Sequence, residues 1–193
     1  MYNKVKKILH YIFLTLFAVF IPYSTDAQTS TEPIKLPIPF ISQIPDGKWV
    51  LPYSMACEEA SIVMVDEYYA GKYRSIEKNK AKELMQPYFE YQNTRYGTNR
   101  DSNAIRTANI IQAMARNFDS RVVENPTIED ILAELEAGRP VISFHHGYSL
   151  DNKNINFINS PSSFHVIVLV GYDAQRKIFF THEPAMLKGD YYE

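Results

Sequence analysis

The stretch Phe164-His165-Val166-Ile167-Val168-Leu169-Val170-Gly171-Tyr172 constrains this chain more than any other. Side chains alternate faces along a strand, and here both sets of positions are apolar apart from His165. A strand apolar on both faces needs cover on both, so this one is expected at the centre of a sheet. Asp173 to Arg176 then predicts a hairpin turn, and Lys177 to Thr181 the returning strand. Pro140 to His145 predicts another strand, separated from the central one by a long Asn- and Ser-rich loop, His146 to Ser163.

Upstream the pattern is helical. After Met55, the residues Ala60, Val63, Met64 and Glu67 share one side of a helix, with Ile62, Val65 and Tyr69 close beside them. Gly71 supplies the stop, and Pro52 blocks backward extension, so Cys57 belongs in the first turn. Ser75 is expected to cap a second helix running to about Tyr88, with Ile76, Leu84, Met85 and Tyr88 inward and Pro87 near its end. Gln92 to Arg100 reads as a polar loop. Asp101 or Ser102 caps a third helix carrying Ile105, Ala108, Ile111, Gln112 and Ala115.

Arg121 to Glu124 is a short strand candidate. Thr127 with Asp130 resembles a capping box, ahead of a helix with Ile128, Ile131, Leu132 and Leu135 inward and Gly138 at its end. At the front, Thr29 to Pro39 is extended, Ile38 to Pro45 reads as an edge segment, and Asp46-Gly47 as a turn. Helices followed by an antiparallel sheet make an α+β plan.

Residues 1–27 read as a signal peptide: Lys4, Lys6 and Lys7, then an apolar run from Ile8 to Ile21, then small residues ending at Ala27. The run falls short of the ~20 residues of a membrane span, and an uncleaved signal anchor is the rival and the one expected route to a membrane. Residues 28–193 then form a single exported domain. Without Lys4, Lys6, Lys7 and Asp26 the formal charge moves from −2 to −4, which gives no basic footprint for nucleic acid. Export also sharpens the single cysteine. It can form no internal disulfide, and one leftover cysteine in an exported protein is either an intermolecular partner or a reactive thiol.

A free cysteine is often no more than a small buried hydrophobe. At a helix start, however, it faces unpaired N–H groups and the positive end of the helix dipole, which favour the nucleophilic thiolate. Thiol catalysis also needs a base, a group to orient the base, and donors for the oxyanion. His165 interrupts an otherwise apolar strand and is the natural base. Glu183 ends the strand that returns beside it and could hold the imidazole. The Gln43 amide could donate to an oxyanion alongside the Cys57 N–H. His145, His146, His165 and His182 raise the question of a metal, but His145 and His146 are neighbours on a strand with opposed side chains, and no His-Glu-x-x-His spacing occurs. No metal or other cofactor is expected.

Taken together, Pro39-Phe40-Ile41-Ser42-Gln43, Ala56-Cys57-Glu58-Glu59-Ala60-Ser61, Gly138-Arg139-Pro140-Val141-Ile142, the strand from Phe164 to Asp173, and Glu183-Pro184 resemble the bacteriocin-processing-type branch of the papain-like cysteine peptidases. This is family 39 of those peptidases, in its stand-alone form. The resemblance implies a papain-like fold, with the cysteine helix of an N-terminal helical half packed on a C-terminal antiparallel sheet. It implies Cys57 as nucleophile, His165 as base and Gln43 as oxyanion donor, acting on a peptide or protein substrate.

The family's Cys-Gly-Pro is here Cys57-Glu58-Glu59, and its Asn-Asp-Pro is His182-Glu183-Pro184, so either Glu183 or His182 could orient the base. Acyl transfer to an amine, or peptide binding without turnover on the same scaffold, are the alternatives to hydrolysis. Members of the family also continue past this point, and Tyr191-Tyr192 begins a strand that stops, so the chain is expected to be truncated at its C-terminus.

Overall fold

A computed structural model describes residues 32–146 and 164–189. The residues read as a signal peptide, the Asn- and Ser-rich stretch expected to be a loop, and the last residues lie outside the described residues. The order is β1 (Ile34–Lys35), α1 (Cys57–Tyr69), α2 (Lys78–Tyr96), α3 (Ala104–Met114), α4 (Ile128–Glu136), β2 (Val141–His146), β3 (Phe164–Asp173) and β4 (Ile178–His182). Among the described residues these are four helices and one four-stranded antiparallel sheet, the expected α+β plan, consistent with a papain-like fold.

β3 is central. β4 pairs with it from Val168 to Asp173, and β2 from Leu169 back to Phe164. β1 pairs at Tyr172 and Gly171, residues that β4 also pairs, so β1 and β2 lie in tandem on one edge of β3 and β4 on the other. The register between β3 and β4 shifts between Leu169 and Gly171. Gly171 is required there: a Cβ would sit 2.0 Å from the Ile34 carbonyl oxygen, a backbone atom that no side-chain rotation can move aside. Val166, Val168 and Val170 are fully buried, as a strand apolar on both faces demands.

α1 packs on β3 and is buried almost all round, from Cys57 through Val65. It is therefore a core helix, wrapped by α2 and the sheet, and not the one-sided amphipathic helix that its spacing suggests. Its end follows the reading, with Gly71 at φ 76°. α4 begins with the expected capping box: the Thr127 hydroxyl accepts from the Asp130 N–H, and the Asp130 carboxylate accepts from the Thr127 N–H. Leu135 is buried, whereas Ile128 is exposed.

Several expectations are corrected. The second helix is neither capped by Ser75 nor ended near Tyr88. It starts after Glu77 and passes through Pro87 to Tyr96, where Gly97 closes it in the left-handed conformation. Proline removes the hydrogen bond to the carbonyl four residues back, here that of the exposed Glu83, where water can substitute. Buried Tyr88, Phe89 and Gln92 anchor the continuation. The third helix is capped by Asn103, whose side chain accepts from the Arg106 N–H, and it buries Thr107, Ile110 and Ile111 while Ile105 is exposed. Arg121 to Glu124 forms no strand, and Val122 and Val123 face solvent. The N-terminal sheet edge is Ile34–Lys35. Ile38 to Pro45 is irregular and buried, held through its backbone to Pro184.

Candidate active site

Cys57 is the first residue of α1, reached through a short 3-10 turn, Tyr53–Met55. It is buried, and the backbone N–H of Val166, the residue after His165 on β3, acts to lower its thiol's pKa. His165 is buried near the start of β3, and Glu183 is buried just past the end of β4. The two meet directly: His165 Nε2–H donates to Glu183 Oε1 at 2.5 Å. A carboxylate only accepts, so this bond places the imidazole hydrogen on Nε2 and the ring's basic lone pair on Nδ1. The same Glu183 oxygen accepts the Ala185 N–H at 2.9 Å, which fixes the carboxylate independently of the histidine.

Of the two candidates for holding His165, Glu183 makes the contact. His182 Nε2–H donates instead to the Ile38 carbonyl at 2.8 Å, and its ring packs edge-on against Phe40. Burial pushes its imidazole below the ordinary value, so it is a neutral core residue.

Gln43 is stitched to the same end of the sheet. Its N–H donates to the Pro184 carbonyl at 2.8 Å, and Ser42 Oγ donates to that carbonyl as well, at 3.4 Å. The buried side-chain amide donates to the Tyr53 carbonyl at 3.2 Å, in the turn that leads into Cys57. One of its two amide hydrogens is thereby used, and among the described residues its Oε1 accepts no hydrogen bond.

The electrostatics of the thiol run against the expectation from the helix start. Cys57 Sγ–H donates to Glu58 Oε2 at 3.0 Å. Burial pushes the thiol well above its ordinary 9.0, and the charges of Glu58 and Glu59 push it further, opposed by the Val166 N–H. In this arrangement the sulfur is a protonated donor and not a thiolate. Glu58 and Glu59 are themselves only 2 % and 1 % exposed, and both carboxyls are raised, chiefly by burial.

At the start of the helix each residue's own backbone N–H pulls against that rise. Glu58 Oε1 also accepts the Ser102 N–H at 2.5 Å. Glu59 accepts from Gln92, whose own Oε1 takes a hydrogen bond from Arg106 at 3.1 Å. Sequence reasoning missed this network. The pair Glu58-Glu59 was visible, but Gln92, Ser102 and Arg106 come from α2, α3 and the loop between them, with no local pattern to join them.

In the sequence His145 stands out only as a possible metal ligand. It stands directly opposite His165 in the β2–β3 register, on the same face of the sheet. Burial and the neighbouring His165 lower its imidazole. Among the described residues no group of three or more His, Cys, Asp or Glu is arranged to hold a metal ion.

No curated protein and no solved structure matches the chain. The model of the Peptidase_C39 like family, however, matches residues 35–193, nearly everything from β1 onward, and the chain belongs to that family.

Proposed function

We propose that this chain is an exported cysteine peptidase that hydrolyses peptide bonds through Cys57, His165 and Glu183. His165 Nδ1 takes the Cys57 proton, and the sulfur attacks the substrate carbonyl. The resulting oxyanion is met by the Cys57 N–H and the second amide hydrogen of Gln43. The returned proton releases the amine, and water clears the thioacyl enzyme with His165 again acting as base. The observation that carries the reading is the His165–Glu183 hydrogen bond at 2.5 Å on β3, the strand against which the Cys57 helix packs. Trp49, Val50 and Leu51, all more than half exposed between Gln43 and Cys57, supply apolar surface for substrate side chains. Exposed Leu187, beside Gly47, extends it.

A peptide-binding module without turnover is the alternative reading. A peptide panel incubated with the wild type, Cys57→Ala and His165→Ala decides between them. Cleavage by the wild type, lost in both variants while each stays folded, is the expected result. Turnover retained by Cys57→Ala ends the peptidase reading, and peptide binding without cleavage by the wild type establishes the alternative.

A further inference from the structure

The Glu58 carboxylate has both oxygens committed. Oε2 accepts the Cys57 S–H at 3.0 Å, and Oε1 accepts the Ser102 N–H at 2.5 Å. Ser102 is locked in turn by its hydroxyl, 2.7 Å from Thr107 Oγ1 on α3, so the carboxylate cannot swing away from the sulfur without moving the loop ahead of α3. At 2 % exposure no solvent can take its place. Glu59 on the same helix and Asp101 on the α3 loop are both acidic. The cation in the network, Arg106 of α3, acts on the far side, through Gln92 and on Glu59. On the thiol itself the one opposing influence is the Val166 N–H of β3, next to His165, which lowers its pKa.

We infer that Glu58 is a proton clamp on the nucleophile: its carboxylate keeps the hydrogen on Cys57 Sγ, so that the resting site holds a neutral thiol instead of a thiolate–imidazolium pair. The inference rests on the reading of Cys57 as nucleophile. With the clamp in place, the proton leaves for His165 only as the sulfur's charge passes into the bond with substrate, because a free thiolate would stand beside Glu58. Glu58 is here a positioning residue. It exchanges no atom with substrate, and it sets when the sulfur becomes reactive.

The test uses the fact that Cys57 is the only cysteine, so alkylation by iodoacetamide reads one sulfur. In the wild type, alkylation should be slow at neutral pH and rise only in alkaline solution. In Glu58→Gln the amide oxygen still accepts the Ser102 N–H, but the charge is gone. The alkylation profile should then shift at least one pH unit toward acid, making the rate at neutral pH about tenfold higher or more. A profile that is unchanged in Glu58→Gln, or shifted the other way, overturns the inference. So does a wild type whose thiolate ultraviolet absorbance is already present at neutral pH, a measurement that needs no variant. Neither readout involves cleavage. Failure of the clamp is therefore distinct from failure of the peptidase reading, which shows as turnover surviving in Cys57→Ala.

Discussion

Replacing Glu183 separates what the carboxylate does by charge from what it does by holding two donors. One oxygen, Oε1, serves both His165 Nε2–H at 2.5 Å and Ala185 N–H at 2.9 Å. Glu183→Gln presents a carbonyl oxygen of the same reach and removes only the charge. A hydrogen bond to a charged group contributes about 1.5–3 kcal/mol and a neutral one about 0.5–1.5, so the charge itself accounts for about 1–1.5 kcal/mol. At 1.36 kcal/mol per factor of ten, kcat/KM should fall about fivefold to tenfold with the fold essentially unchanged.

Glu183→Ala strands two buried donors at about 1–3 kcal/mol each, so stability should drop by about 2–6 kcal/mol in addition to a larger loss of rate. Denaturant melts give the stability, and cleavage of a peptide hit from the panel gives the rate. If Glu183→Gln cleaves at the wild-type rate, the carboxylate charge has no part in the chemistry. If Glu183→Ala also melts with the wild type, the hydrogen-bonded geometry itself is in error.

Gln43→Ala should lower kcat about a hundredfold or more, with little change in KM, if the Gln43 amide meets the oxyanion, and it should cost about 1–3 kcal/mol of stability by stranding the Tyr53 carbonyl. An unchanged kcat removes it from the site. Glu59 should give this protein an uncommon pH dependence. Its carboxyl is raised well above 4.5, chiefly by burial and then by Glu58, so the folded state binds its proton more tightly than the unfolded state does. That contribution is complete below pH 4.5 and is lost as pH rises through the folded-state value. Melts of Glu59→Gln against the wild type should thus show the variant gaining relative stability from pH 4.5 toward neutrality, and a difference constant across that range refutes the assignment.

What could be read in the chain followed from patterns that are local. An apolar strand places itself at the centre because both its faces need cover, and β3 did so. Thr127 and Asp130 are three residues apart and make their cap without help. Cys57 heads its helix because Pro52 leaves little room for anything earlier. The misses are cases where distant contacts overrule a local rule. Pro87 argues for a helix end until Phe89 and Gln92 find partners in the core. Val122 and Val123 argue for a strand, but no neighbour pairs with them. Gln43, His165 and Glu183 are separated by up to 140 positions, and their chemistry could be guessed from residue type. Their meeting depends on the hairpin between β3 and β4 and on the backbone bond from Gln43 to Pro184.

At Cys57 the helix start and the two carboxylates beside the thiol pull in opposite directions, and the magnitudes decide between them. A helix start favours an anion by about 0.3–1 kcal/mol, and about 2 in sheltered geometry. A thiolate 3.0 Å from the Glu58 carboxylate would meet a like-charge repulsion of about 5 kcal/mol at an effective dielectric constant of 20. Burial adds its own penalty in the same direction. The dipole also does not select which anion it stabilises. Cys57, Glu58 and Glu59 all occupy the first turn, and a carboxyl with an ordinary value of 4.5 ionises long before a thiol at 9.0. The helix-start N–H groups of Glu58 and Glu59 act to lower their own carboxyls. A cysteine at a helix start therefore argues for a thiolate only where no stronger acid shares the turn.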